Sequence, residues 1–187
     1  MSSSRASVLV LGSAATVALA ALAWASFAKP LPRLVYNPSD SVPVGWYRVD
    51  LTVQQPTSGT TPEPAPLQIG SIVLVRLPAH TAALAAQRGY LPLKLPLLKR
   101  VGAVAPQRVC IIGQTLRIDG NFVTTTLRAD RLGRPLHGWP QCRRLRSGEV
   151  FLLSATNPAS FDSRYFGPVL STDVIGTAHP LWLESQP

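Results

Sequence analysis

Alternation and short apolar runs, the two patterns typical of β-strands, cover most of the chain after its N-terminal segment. They predict strands at residues 34–36, 46–49, 69–77, 97–104, 149–154 and 174–178. The sequence Asp119-Gly120, between alternating segments, predicts a β-hairpin turn. Residues 81–88 predict a short helix that ends at Gly89, and a polar loop follows the 149–154 strand as far as Gly167. The pattern therefore predicts a mostly β domain of short antiparallel strands.

The N-terminal segment has a different pattern, because Ala6 to Ala28 contains no charge in 23 residues. As a helix it is long enough to span roughly 30 Å of hydrocarbon. Small residues near its end also resemble a signal-peptide cleavage site. Residues 1–28 are therefore expected to be a membrane anchor or a cleaved signal, and residues 29–187 an exported β-rich domain. Within that domain, residues 52–67 are rich in Thr, Pro and Gln and predict a flexible insertion.

The composition fits a folded domain with a basic surface. Apolar residues make up 46% of the 187, and 18 prolines with 13 glycines favour many turns. The net charge of +9 comes from cations scattered along the chain, and the densest run, residues 143–146, contains no aromatic residue that could stack on bases. Nucleic-acid binding is therefore not expected. An anionic membrane surface or a solvated basic surface accounts for the same charge.

The two cysteines, Cys110 and Cys142, have a spacing that matches no metal-binding motif. In an exported domain this pair favours a disulfide, and two buried free cysteines are the alternative. Neither a metal nor a cofactor is expected.

Candidate chemistry begins with Lys99, which lies in an otherwise apolar strand. Its ammonium group either points to solvent or is desolvated, and desolvation would lower the pKa of the amine until it is a usable base near neutral pH. Arg100 cannot replace it, because a guanidinium group does not deprotonate in proteins. Ser39 and Ser41 lie in a Pro- and Gly-rich loop, where serines commonly bond their own backbone. Taken singly, neither feature identifies a site.

Together these residues fall into segments that resemble the boxes of type I signal peptidases. The segments are Ser41-x-Pro43-x-Gly45-x-Tyr47, then Ile69-Gly70-Ser71-Ile72-Val73, then Leu98-Lys99-Arg100-Val101, then Ser160-Phe161-Asp162-Ser163-Arg164-Tyr165-Phe166-Gly167. The likeness extends from about residue 35 to residue 178. The form of the first and last boxes, Arg88-Gly89-Tyr90-Leu91 and the cysteine pair resemble the conjugative-transfer (TraF type) branch of that family.

The resemblance implies a signal-peptidase-like β domain and a Ser-Lys mechanism. Ser41 would be the nucleophile and Lys99 its general base. The Ser41 amide and the Ser39 hydroxyl would stabilise the oxyanion, and Ser160 would orient the lysine amine. Asp162 and Arg164 would form a buried pair that holds the loop around Ser160.

The same branch implies the substrate and the compartment. Its members mature a pilin precursor, and some join the ends of the product into a ring. An inner-membrane anchor with a periplasmic catalytic domain is implied, with conjugation or type IV secretion components as candidate partners. Val42 stands where a Met is usual, and residues 104–107 and 154–157 depart from the housekeeping leader peptidases. These departures favour a dedicated substrate.

Three other functions compete with this interpretation. A Ser-His-Asp hydrolase could use His80, His137 or His179, but the sequence has no Gly-x-Ser-x-Gly elbow. Ser26-x-x-Lys29 matches the letters of a penicillin-recognising enzyme, but it lies at the end of the apolar segment. A non-catalytic β-domain that serves as a scaffold in a secretion assembly would keep the strands and cysteines without needing Ser41 and Lys99.

Overall fold

The computed structural model describes residues 15–17, 19–20, 33–51, 67–154 and 156–184. The strands are β1 Leu34–Asn37, β2 Gly45–Leu51, β3 Ile72–Val75, β4 Leu97–Val104, β5 Arg108–Ile112, β6 Thr115–Ile118, β7 Asn121–Thr125, β8 Cys142–Arg144, β9 Glu149–Leu153, β10 Val169–Leu170 and β11 Val174–Leu183. The helices are α1 Ala79–Gln87 and α2 Ser163–Phe166, with a 3-10 turn at Ser171–Asp173. The predicted fold class, mostly β with short antiparallel strands, is confirmed.

The strands form two antiparallel sheets. Seven of them form one sheet in the order β1-β2-β11-β3-β4-β9-β10, and four form a second sheet in the order β7-β6-β5-β8. A shared core cluster joins the sheets, with Phe151 and Leu153 from β9 packed with Val109 from β5 and Leu116 from β6. A separate cluster around Leu98 fills the space under β2, β3 and β11. β4 therefore has a hydrogen-bonded strand on each side, and each of its ends packs in one of the two core clusters.

Several elements lie close to their predicted bounds. β4 occupies 97–104 as predicted. Asp119 and Gly120 form the β6–β7 turn with φ values of 51° and 86°, and positive φ at both positions is what a two-residue type I′ hairpin turn requires. β3 is shorter than the predicted 69–77, because a turn at residues 69–70 with Gly70 at φ 90° precedes it. The pattern does not predict β8 and β10, which are too short for alternation to be visible.

β11 extends five residues beyond its predicted end at residue 178. The predicted end lies two residues before Pro180, which cannot donate to a ladder of hydrogen bonds. Within the described residues, however, β11 pairs with β3 only as far as Ala178, and from His179 onward it pairs with β2 alone. One side of the strand is open there, and a bulge between Pro180 and Trp182 adjusts the register. Proline is tolerated at such a position.

The predicted polar loop up to Gly167 contains the short helix α2. Its N-cap is Asp162, whose side chain accepts a hydrogen bond from the Arg164 amide, and its C-cap is Gly167 with φ 80°. Both residue types are typical of helix ends. The prediction of an uninterrupted loop was therefore wrong.

Two predicted segments fall largely outside the described residues. Residues 15–17 and 19–20 of the predicted anchor are α-helical, and the rest of residues 1–28 is not described. Of the predicted insertion at 52–67, only Leu67 is described. No helix among the described residues is both long enough and apolar enough to cross a membrane.

A disulfide joins Cys110 of β5 to Cys142 of β8, two residues that lie directly opposite each other in the second sheet. We expect the Cys110→Ala/Cys142→Ala double variant to lose about 3 to 4 kcal/mol of unfolding free energy, because the bond closes a loop of 32 residues in the unfolded chain. Urea denaturation of wild type and variant measures this loss. An unchanged midpoint and slope would contradict the prediction.

Candidate active site

The loop between β1 and β2, residues 38–44, carries both candidate serines and is called the Ser loop below. Ser41 is buried, with 5% of its surface exposed, while Ser39 is exposed. Val42 is buried in the core cluster that also contains Leu98 and Ile72. Val42 thus shares a core cluster with Leu98, the residue before Lys99, although successive side chains of a strand point to opposite faces of the sheet.

Two side chains outside the Ser loop fix its backbone. Asn37, at the end of β1, donates from Nδ2 to the carbonyl oxygens of Ser39, Val42 and Pro43, at 2.6, 2.9 and 3.2 Å. Tyr47 of β2 donates its hydroxyl to the Pro43 carbonyl at 2.6 Å. Sequence analysis did not identify Asn37, although an Asn that precedes Pro at a strand end is a recognised turn signal.

Lys99 is desolvated rather than directed to solvent, with 3% of its surface exposed. Its Nζ donates to Ser160 Oγ at 2.6 Å. Burial lowers the pKa of the Lys99 amine to about 8, opposed by the negative charges of Asp162 and Asp40 and reinforced by the positive charge of Arg164. The neutral amine, which has a free lone pair, is therefore accessible near physiological pH.

The two halves of the candidate dyad lie in one neighbourhood without bonding each other. Ser41 Oγ has the Ser39 hydroxyl as its side-chain partner, at 2.9 Å, and Lys99 Nζ has Ser160. Between these two described side chains no hydrogen bond is formed. The Ser loop is instead linked to the segment that carries Ser160 through Ser154, which donates to both the Ser41 carbonyl and Asp162.

Asp162 and Arg164 form a buried ion pair, with side chains 0% and 1% exposed. Arg164 Nε donates to Asp162 Oδ1 at 2.8 Å and its NH2 group to Oδ2 at 2.9 Å. The remaining guanidinium hydrogens reach the carbonyl oxygens of Ser160, Pro158 and Thr125. The arginine thus connects the backbone around the lysine's partner, Ser160, with β7 of the second sheet.

Residues that follow β9 fasten the Ser loop from the other side. Ser154 Oγ donates to the Ser41 carbonyl at 3.0 Å, and the Ser154 amide donates to Asp162 Oδ2 at 3.0 Å. Thr156 Oγ1 donates to the Asp40 carbonyl at 2.7 Å. Sequence analysis identified residues 154–157 only as a departure from a known box, so it missed their part in joining the Ser loop to the Asp162–Arg164 pair.

A cavity of about 540 Å³ adjoins these contacts and lies between the two sheets. Its lining includes Arg100 of β4, Thr124 of β7, and Ser154 and Thr156. The volume is within the range of pockets that bind ligands. The lining thus includes two residues that bond the Ser loop, but neither Ser41 nor Lys99.

Among the described residues, the competing Ser-His-Asp constellation is not assembled. His80, His137 and His179 are all exposed, and His179 pairs with Asp50 at 3.4 Å instead of with a serine. Ser26 and Lys29 lie outside the described residues. Among the residues that are described, no three His, Cys, Asp or Glu side chains are grouped to hold a metal ion.

Comparisons with known proteins identify the family of the chain. The family described as "Signal peptidase, peptidase S26" matches residues 6–183. A "Probable conjugal transfer protein TraF" of Sinorhizobium fredii is 34% identical over 146 residues, covering 72% of this chain and 76% of that protein. A "Plasmid transfer protein TraF" of Escherichia coli is 28% identical over 183 residues, covering 92% and 93%.

Among solved structures, a signal peptidase I of Enterococcus faecalis aligns with a TM-score of 0.36 and 20% identity, covering 59% of this chain and 94% of that one. The assignment of the chain to a family therefore rests on the sequence matches, which span nearly the whole chain. The chain belongs to the signal peptidase family, peptidase S26, and to its conjugative-transfer branch, the TraF type.

Proposed function

We propose that this protein is a serine endopeptidase in which Ser41 is the nucleophile and Lys99 the general base. The observation that carries the proposal is the environment of Lys99, a buried amine with a pKa of about 8 that is oriented by Ser160 and lies near a buried serine. A buried lysine without a function would cost stability for no gain, whereas a neutral amine is what a Ser-Lys mechanism requires.

The first half of the reaction makes an acyl-enzyme. The Ser41 hydroxyl turns from Ser39 towards Lys99, whose lone pair takes the proton as Oγ attacks the substrate carbonyl. One Lys99 hydrogen remains bonded to Ser160, which aims the lone pair. The Ser41 amide and the Ser39 hydroxyl stabilise the oxyanion. When the tetrahedral intermediate collapses, the lysine ammonium gives its proton to the departing amine and an ester on Ser41 is left.

The second half depends on the acceptor. Lys99 is neutral again and takes a proton from whichever nucleophile attacks the ester, and the resulting ammonium returns it to Ser41 Oγ as the ester bond breaks. Water gives a cleaved product, and an amine of the substrate's own N-terminus gives a cyclic one. Asp162 and Arg164 take no proton in this scheme. They hold the backbone that carries Ser160, and so fix the direction of the lysine amine.

The substrate that we propose is a pilin precursor, processed in a conjugation apparatus. The names of the relatives, conjugal and plasmid transfer proteins, support this class. We further propose that residues 1–28 anchor the protein in the inner membrane and that the rest lies in the periplasm, with conjugation or secretion components nearby. The disulfide is consistent with an oxidising compartment.

Mass spectrometry of a pilin precursor after incubation with the purified protein tests the reaction and its acceptor together. Cleavage within the precursor is expected. A product lighter than the linear fragment by one water would identify cyclisation, and the linear mass would identify hydrolysis. A precursor that stays intact in the presence of folded protein would contradict the peptidase proposal.

The rate of cleavage is expected to rise with pH through an apparent pKa near 8. Below this value Lys99 is protonated and cannot accept the Ser41 proton, and above it the neutral amine predominates, so the rate reaches a plateau. The pH profile of kcat/KM measures this. A profile that is flat from pH 6 to pH 10, with the protein folded throughout, would contradict a lysine base.

A further inference from the structure

The chemistry of its neighbours settles the orientation of the Asn37 side-chain amide. One end of this buried amide faces three carbonyl oxygens, those of residues 39, 42 and 43. Carbonyl oxygens only accept hydrogen bonds, so this end is the NH2 group. The other end, Oδ1, therefore faces Ser39 and accepts from both its amide, at 3.3 Å, and its hydroxyl, at 2.9 Å.

This orientation decides which serine donates to the other. The Ser39 hydroxyl has one hydrogen, and Asn37 Oδ1 takes it. In the 2.9 Å contact between the two hydroxyls, Ser39 must therefore be the acceptor and Ser41 the donor. The resting protein thus has an ordered chain in which Ser41 donates to Ser39 and Ser39 donates to Asn37. The nucleophile's hydrogen points to Ser39, and the Lys99 amine is bonded to Ser160 instead.

From this order we propose that Asn37 is a positioning residue of the peptidase, acting through the Ser39 hydroxyl. The inference rests on the proposed function of Ser41, Lys99 and Ser39. Asn37 holds Ser39 Oγ beside the nucleophile, where a substrate carbonyl oxygen will become an oxyanion. When that oxygen arrives, the Ser39 hydroxyl rotates and donates its hydrogen bond to the oxyanion instead of to Asn37 Oδ1. The Ser39 amide keeps its bond to Oδ1. The Ser41 hydroxyl is then free to turn towards Lys99.

A residue that acts through Ser39 can be distinguished by its effect on kcat from a residue that only anchors the Ser loop. A residue that only holds the Ser loop would affect the protein equally whether or not residue 39 has a hydroxyl. A residue that acts through Ser39 should lose its effect on kcat when that hydroxyl is removed. Since the oxyanion exists only in the transition state, the change should appear in kcat and not in KM.

A double-mutant cycle with Asn37→Leu and Ser39→Ala tests this, with kcat and KM for cleavage of the pilin precursor as readouts. Ser39→Ala is expected to lower kcat about 10²- to 10³-fold, as for other single oxyanion donors. Asn37→Leu is expected to lower kcat about 10- to 100-fold in the wild-type background, because the donor is misplaced. In the Ser39→Ala background the same change should cost clearly less in kcat, because only the lost bonds to the loop carbonyls still act there.

Tyr47→Phe is the matched control, since Tyr47 also bonds the Ser loop through Pro43 but touches neither serine. Its effect on kcat should be the same in both backgrounds. If Asn37→Leu does not fold, Asn37→Ser replaces it, because the shorter side chain leaves room for water to bind the loop carbonyls and still releases Ser39. An Asn37 effect that is equal in both backgrounds would overturn the proposal.

Ser41→Ala, assayed beside the cycle, separates this outcome from failure of the proposed function. If Ser41→Ala cleaves as fast as wild type, the Ser-Lys peptidase is refuted, and Asn37 with it. If Ser41→Ala is inactive but Asn37 and Ser39 act independently, only the role of Asn37 is refuted.

Discussion

Replacing Ser41 with alanine is expected to lower the rate of precursor cleavage by roughly 10⁶-fold, the size of the loss when a serine peptidase loses its nucleophile. The residual rate would come from bound water and the remaining oxyanion donors. Ser41 is small, and among the described residues its side chain bonds only Ser39, so the fold should be unaffected. Cleavage of a co-expressed pilin precursor, followed by mass spectrometry, measures the effect.

The matched control for this variant is Ser147→Ala, at an exposed serine in a turn remote from the Ser loop. It should process the precursor at the wild-type rate. If Ser41→Ala also does so, the chain is a non-catalytic β-domain and its role in conjugation is that of a scaffold. Loss of cleavage in Ser41→Ala, with an unchanged thermal unfolding curve, excludes the scaffold and supports the peptidase.

Replacing Arg164 with methionine is expected to lower the free energy of unfolding by about 3 to 5 kcal/mol, the cost of removing one partner of a buried ion pair. Two consequences add up at this position. The Asp162 carboxylate is left in the interior without a counter-charge, and the carbonyl oxygens of Ser160, Pro158 and Thr125 lose their donor. Methionine fills much of the same space, so the effect reports on charge and hydrogen bonding rather than on a cavity.

Arg48→Met supplies the comparison, because Arg48 and Asp50 are also two residues apart and form an ion pair. That pair is 60% and 54% exposed, so its loss should change stability by less than about 1 kcal/mol. Denaturation in guanidinium chloride measures both variants. Equal effects would mean that the Asp162–Arg164 pair contributes no more than an ion pair on the surface.

How much of the molecule the sequence predicts depends on the range of the interactions involved. Local chemistry is sufficient for the Asp119-Gly120 turn and for the bounds of β4, because backbone preference and apolar character act over a few residues. It fails at Pro180, where the answer depends on whether a neighbouring strand continues alongside β11. The sequence pattern shows the proline, but it does not show that, within the described part of the chain, β11 has no neighbouring strand on one side at that point.

The candidate site divides in the same way. The order of the boxes predicts Ser41, Lys99, Ser160, Asp162 and Arg164 as site residues, and their catalytic roles stay predictions. Whether Lys99 is buried could not be decided from its own strand, since the side chains that meet it come from far along the chain. Asn37 and Ser154 were missed because their function lies in hydrogen bonds to a loop backbone, and a one-dimensional pattern does not record where carbonyl groups point.

The position of Ser160, 61 residues after the lysine that it orients, has a consequence for the timing of activity. A nascent chain that has emerged only as far as β9 already contains Ser41 and Lys99, but not Ser160 and the Asp162–Arg164 pair that holds it. Its lysine has no oriented partner, so the amine is not yet a directed base. Under the proposed Ser-Lys mechanism, catalytic competence would therefore arise only after Ser160 and the Asp162–Arg164 pair have been synthesised.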